Sequence, residues 1–201
     1  MSCIIPPEHP NPMLHNDVVA NLQSDIDSCG WVDLIFPLAD ISERDVNGSR
    51  ILVPVVYGQQ QEGVNNYIEM FPDGKSRAGC FFELPGGFYD EDRVGETFEY
   101  EISVIVWANL NLLASRDYDF TDELMASVRQ ALVNGIYSNE ITRVRMTKDK
   151  NQVFQKYGYS YQSLYSFMYP KTAFKITLTM EMTVDADCFS PGSFPPFTPI
   201  C

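Results

Sequence analysis

Histidine is almost missing from the chain, which has only His9 and His15 in 201 residues. Both lie in or beside a proline-rich N-terminal stretch, and histidine is the usual general base near neutral pH. A Ser-His-Asp or Cys-His site would need its base held rigidly from that stretch, so no histidine triad is expected. With Cys3 the two histidines would give three zinc ligands, at a spacing that fits no common pattern and with the fourth missing. Cysteine is sparse too: Cys3, Cys29, Cys80, Cys188 and Cys201 are odd in number and scattered, with no Cys-x-x-Cys pair. That usage reads as reduced thiols in a cytosol and not as a disulfide framework. Long apolar runs are lacking; the best, Ile102 to Leu113, falls well short of the ~20 residues of a membrane helix, so no membrane partner is expected. The first ten residues show neither the basic start nor the apolar stretch of a secretory signal. Basic residues are few, 14 against 27 acidic for a formal charge of −13, which argues against a protein whose main task is gripping nucleic-acid phosphates.

What remains is an apolar, aromatic chain. Hydrophobic residues make up 45%, aromatics 13% and charged residues 20%, a composition that folds around a core and does not stay disordered. Its length suits one domain. Four prolines fall in the first twelve residues and four more from Pro191 to Cys201, which predicts extended arms over residues 1–15 and 188–201, since proline cannot join a helix interior or a central strand. Phe189, Phe194 and Phe197 suit a C-terminal arm that docks, because a solvated tail gains nothing from three phenylalanines.

Residues 16–187 read as a single α+β domain. Asn16 can cap a helix through about Ser28, with Val18, Val19, Leu22 and Ile26 on one face and Gly30 ending it. Ile51 to Tyr57 is strand-like, but Pro54 assigns it to an edge or bulge. Tyr67 to Phe71 and Cys80 to Leu84 are short strands in a β-rich insertion near 58–88, separated by turn sequences at Pro72-Asp73-Gly74 and Pro85-Gly86-Gly87. Thr97 to Trp107 predicts a long strand with Phe98, Tyr100, Ile102, Val104 and Val106 facing the core and Thr97, Glu99, Glu101 and Ser103 opposite. A helix from about Asp122 to Asn134, capped by Thr121, carries the stripe Leu124, Val128, Ala131 and Leu132 and stops at Gly135. Glu140 to Asn151 reads as a strand or hairpin arm. Phe174, Ile176, Leu178, Met180, Met182 and Val184 alternate with Lys175, Thr177, Thr179, Glu181 and Thr183, a one-face-buried antiparallel strand. The expected architecture is thus an antiparallel sheet with one or two packed helices.

Chemical motifs are weak. Gly74-Lys75-Ser76 imitates the end of a phosphate loop, yet Glu69 stands where that loop needs glycine. Asn47-Gly48-Ser49 matches a glycosylation sequon and reads as an ordinary turn. Glu83, Asp90, Glu91, Asp92, Glu96, Glu99 and Glu101 gather in one stretch; a hard-cation site, an acid/base pair and a solvated acidic face are the available readings. Arg143, Arg145, Lys148, Lys150 and Lys156 form a basic ridge on a very acidic chain. Such polarity suits a head-to-tail contact in which the ridge meets Asp90, Glu91 and Asp92 of the next copy. Tyr157, Tyr159, Tyr161, Tyr165, Phe167 and Tyr169 suit a protein interface, a carbohydrate-stacking surface or ordinary packing. No cofactor or metal site is expected, and nothing amounts to an enzyme signature.

The order of parts carries a resemblance. A leading helix, a β-rich centre, the strand Phe98 to Trp107, the helix Asp122 to Asn134, a basic hairpin region, then Tyr169-Pro170-Lys171-Thr172-Ala173-Phe174-Lys175-Ile176 opening the last long strand, together resemble the tail-terminator and neck-ring proteins of tailed bacteriophages. The resemblance is one of layout and covers Asn16 to Asp187. The proline-rich arms and acidic composition are similar to virion proteins of crAss-like phages; the stretch from Gly58 to Phe88 is longer than a minimal terminator needs. The resemblance implies a tail-terminator-like fold, assembled in a host cytoplasm into a homo-oligomeric ring of twelve or six copies in the virion neck or tail. Such a ring would join a portal or adaptor to neighbouring tail proteins and let genomic DNA pass through its lumen, with Glu99 and Glu101 as candidates for an acidic lining. A receptor- or carbohydrate-binding tail module using the tyrosines is the alternative. A hydrolase using Asp90, Asp92, Glu99 and Glu101 stands third.

Overall fold

The alternating strand around Phe174 is the centre of the molecule. The computed structural model describes residues 3–4, 14–46, 49–57, 67–70, 75–84, 97–116, 118–157 and 170–183. In it β9 (Lys171–Thr183) lies between β7 (Thr97–Asn109) and β8 (Ile141–Thr147). β7 and β9 pair antiparallel over their full lengths, from Asn109 opposite Lys171 to Thr97 opposite Thr183. The sheet continues through β6 (Ala78–Glu83) and β2 (Leu34–Leu38) to β1 (Cys3–Ile4), in the order β1-β2-β6-β7-β9-β8.

This sheet is mixed, whereas the sequence predicted an antiparallel one: β1/β2 and β2/β6 run parallel. Side-chain alternation fixes which face a residue takes but carries no information on strand direction, which the connections decide. Helix α1 (Leu14–Asp27) is the connection that lets β2 lie parallel to β1. The part of the predicted N-terminal arm at Cys3–Ile4 is an edge strand of the chain's own sheet. Residues 5–13 and the C-terminal arm with Phe189, Phe194 and Phe197 lie outside the described residues.

Between β2 and β6 the chain builds a second, three-stranded sheet from β3 (Asp40–Val46), β4 (Ser49–Tyr57) and β5 (Tyr67–Glu69), in the order β3-β4-β5. The strand leaves the main sheet at Ala39, whose N–H still donates to Phe82 O at 2.8 Å. The pairing of Val46 with Ser49 leaves only Asn47 and Gly48 to join the two strands. Pro54, expected at an edge or bulge, sits in the central strand β4, opposite Ile41. The position tolerates proline because Pro54 O accepts from Met70 N at 3.2 Å just beyond the last residue of β5. The donor proline lacks would face the same side.

Two cores result. On one face of the main sheet α1 and α3 (Thr121–Val133) bury Val18, Leu22, Ile26, Leu124, Val128 and Leu132 against Ile102, Val104, Phe174, Ile176 and Leu178. Gly30, with φ 71°, ends α1 in the left-handed conformation that favours glycine. Thr121, predicted as cap of α3, is instead its first residue. Asp119 Oδ1 accepts the Thr121 N–H at 2.9 Å and also its hydroxyl, and the same hydroxyl lies 2.9 Å from Thr172 Oγ1.

The other face, predicted to carry Thr97, Glu99, Glu101 and Ser103, turns apolar further along β7. Ile105 and Trp107 join Phe81, Ala173, Phe36, Val56 and Met70 in a second core. Val153, Phe154 and Tyr157 close it, from the short helix α4 (Lys150–Val153) and the turn that follows. Another one-turn helix, α2 (Leu110–Leu113), follows β7. α4 begins because Asp149 caps it, accepting Asn151 N–H at 3.1 Å; this ends the strand predicted to reach Asn151. β6, within the stretch 58–88, is buried on both faces between the cores.

The start of the parallel pair β2/β6 is pinned by Asp33 and Arg77. Arg77 Nη2 donates to Asp33 Oδ1 at 2.7 Å, and Arg77 N donates to Asp33 Oδ2 at 2.7 Å. The guanidinium hydrogen bonds hold the Asp33 carboxyl below its ordinary 3.8, and the Thr121 hydroxyl does the same for Asp119. A depressed folded-state value means the stabilisation is fully present above about pH 4 and is lost as pH falls through the folded values. Arg77→Leu is expected to flatten this acid limb and to cost about 1 kcal/mol near pH 7, the pair being partly exposed. Urea midpoints for both proteins from about pH 5 to about pH 2 check this; parallel curves would contradict it.

Candidate interaction surface

The polar half of the second face is where charge collects. Beyond Phe81 and Ile105 the strands present Glu83, Ser103, Thr177 and Arg145 as one row, then Glu101, Thr179 and Arg143, then Glu99 and Glu181, by strand register. The row nearest the core is sealed at Glu83 and Ser103. Glu83, which the sequence grouped with a solvated acidic face, is buried and ion-paired with Lys175. Tyr157 OH donates to Glu83 Oε2 at 3.2 Å, and Lys156 Nζ donates to Leu84 O. Burial pushes the Lys156 ammonium down from its ordinary value, with Glu83 opposing and Lys175 reinforcing the shift. Ser103 and Thr177 share a hydroxyl hydrogen bond of 2.7 Å.

Further out the face opens. Arg145 is ion-paired with Glu101. Arg143 is exposed opposite Thr179, and Glu99, also exposed, stands opposite Glu181. Two like charges directly across an antiparallel pair are unfavourable, so the outer end of β7 and β9 is a locally acidic rim. Glu99 and Glu101, predicted together as lumen-facing, therefore differ: Glu99 faces solvent and Glu101 is shared with Arg145.

The predicted basic ridge divides. Arg143 and Arg145 lie on the same face of β8, whereas Lys148, past the end of the strand, bonds both carboxylate oxygens of Asp122 at 2.8 Å near the start of α3. Lys150 opens α4, where burial lowers its ammonium and Asp119 opposes the shift. Asp90, Glu91 and Asp92, the predicted acidic counterpart, lie outside the described residues. The same holds for Tyr159, Tyr161, Tyr165, Phe167 and Tyr169, while Tyr157 packs edge-on against Phe81 with ring centroids 6.1 Å apart.

The helix face carries an open groove between the end of α1 and α3, lined by Asp25, Cys29, Glu123, Ser127 and Gln130 among others. Burial pushes the Cys29 thiol up, and its Sγ lies 3.9 Å from Ser127 O. Cys80 is fully buried and pushed far up. Both are free thiols of low nucleophilicity. Among the described residues no three His, Cys, Asp or Glu side chains converge on a possible metal position, and no helix is long and apolar enough to cross a membrane.

The sequence missed Glu83 as a structural group and the hairpin β3–β4 as a surface. Ile41, 53% exposed, and Leu52, 37% exposed, are apolar side chains that the hairpin leaves in solvent. The spacing Asn47-Gly48 between two strand-like runs was the available signal for it. No family model, no curated protein and no solved structure matches the chain.

Proposed function

We propose that the protein is a virion structural component of a tailed bacteriophage, not an enzyme, and that its copies join into a closed homo-oligomeric ring in the neck or tail. The ring links a portal or adaptor to the tail and passes genomic DNA. The supporting observation is the distribution of surface: a long charged sheet edge at β8 and, away from it, a hairpin that leaves the main sheet at Ala39 with Ile41 and Leu52 exposed. Two unlike surfaces on one chain suit a heterologous contact, which closes into a ring when the rotation between copies permits. The acidic rim of Glu99 and Glu181 would let DNA pass a lumen by repulsion.

The reading predicts a native mass that is a multiple of the chain mass at micromolar concentration, alone or with neighbouring neck and tail proteins. Native mass spectrometry reads this directly, and a monomer under both conditions contradicts the proposal.

A further inference from the structure

The two sheets end in strands that match. β8 closes one side of the six-stranded order and β3 one side of the three-stranded order, so among the described residues each is paired on a single side. Both are seven residues long. An edge strand offers a row of main-chain donors and acceptors and is a ready template for another strand. On β8 the side chains on the face away from the helices include Arg143 and Arg145, two residues apart; on β3 one face carries Ile41, Glu43 and Asp45. Two guanidiniums at a spacing of two on one edge match two carboxylates at a spacing of two on the other.

We infer that β8 of one copy pairs edge-to-edge with β3 of the next, Arg143 and Arg145 lying over Glu43 and Asp45. The inference rests on the ring reading and names its contact. In either strand direction, a register that sets one guanidinium beside one carboxylate also sets the second pair on the same face. Arg145 would exchange its half-exposed pair with Glu101 for the new contact. Glu43 is bonded to Arg50 at 3.4 Å with both side chains more than half exposed, a pair of the kind that contributes little. Arg143 is exposed on the strand. The occupant is a second copy because the chain carries both halves of the match and because every copy then donates one edge and accepts one edge, as a heterologous ring requires. Ile41, beside Glu43 on β3, and Met146, beside Arg145 on β8, are 53% and 44% exposed and would lose solvent in the contact.

The test uses Arg143→Glu and Glu43→Arg, two exposed positions whose reversal leaves both cores untouched, with thermal melts confirming folding. Each variant alone should assemble at least about tenfold more weakly than the parent, because like charges then oppose across the contact. An equimolar mixture should recover assembly, since one contact in the mixture keeps the original charges and the alternate one reverses both. Parental assembly by each variant alone, or no recovery in the mixture, overturns the edge pairing while leaving a ring built otherwise. A parent that stays monomeric overturns the ring and the edge pairing together.

Discussion

Lys175→Met is expected to destabilise the protein by about 3–5 kcal/mol, the range for removing one partner of a buried ion pair. The Glu83 side chain is 4% exposed and that of Lys175 is 17% exposed. Without the ammonium, the carboxylate keeps the Tyr157 hydroxyl at 3.2 Å in a site shielded from water. The loss should lower the melting temperature by about 10 °C for a chain of this size. Replacing both residues, Glu83→Leu with Lys175→Met, should recover a large part of it, because neither charge then needs solvation and only the Tyr157 hydrogen bond to Glu83 is lost. Urea unfolding of the single and double variants measures the difference. A double variant as unstable as the single one would mean that the site depends on something other than charge pairing.

The second large effect lies at Trp107, 1% exposed in the second core. It stands opposite Gly79 across β6 and β7, and a Cβ at Gly79 would lie 2.5 Å from Trp107 Cζ2. The indole therefore lies over bare backbone, and glycine is required there for room. Trp107→Ala should cost about 3–5 kcal/mol through lost burial and the cavity left behind. Trp107→Phe should cost much less, because Trp107 Nε1 is buried with no acceptor among the described residues and phenylalanine removes that unmet donor. Gly79→Ala forces the ring aside at about 1–3 kcal/mol. In the Trp107→Phe background the same change should cost less, a non-additivity that marks direct contact. Equal costs of Gly79→Ala in both backgrounds would contradict the account of that glycine.

These two sites show what the sequence could and could not convey. The helices at Val18 to Ile26 and Leu124 to Leu132 and the strand around Phe174 follow from local periodicity, and their buried faces lie where the spacing puts them, except that Ala131 lines the open groove and not the core. Directions of strands are not local. Nothing near Leu34 or Ala78 says that β2 and β6 run parallel, since a whole second sheet separates them along the chain. The second core was partly legible: Ile102 to Ala108 carries apolar residues at both parities, the pattern of a strand buried on both faces. Reading Ser103 as one of a polar row hid Ile105 and Trp107. Glu83 was not legible, because its burial depends on Lys175, which is 92 residues away. Arg143 and Arg145 were legible as exposed charges, but not the division of the ridge, which follows from Asp149 starting α4.

In the proposed ring, outward charges and strand edges hold the copies to one another. Electron micrographs of the purified assembly, classified without imposed symmetry, test this most directly. The account predicts closed particles with an open centre and sixfold or twelvefold rotational symmetry. Open filaments, or particles no larger than one chain at concentrations where a ring should persist, would contradict it.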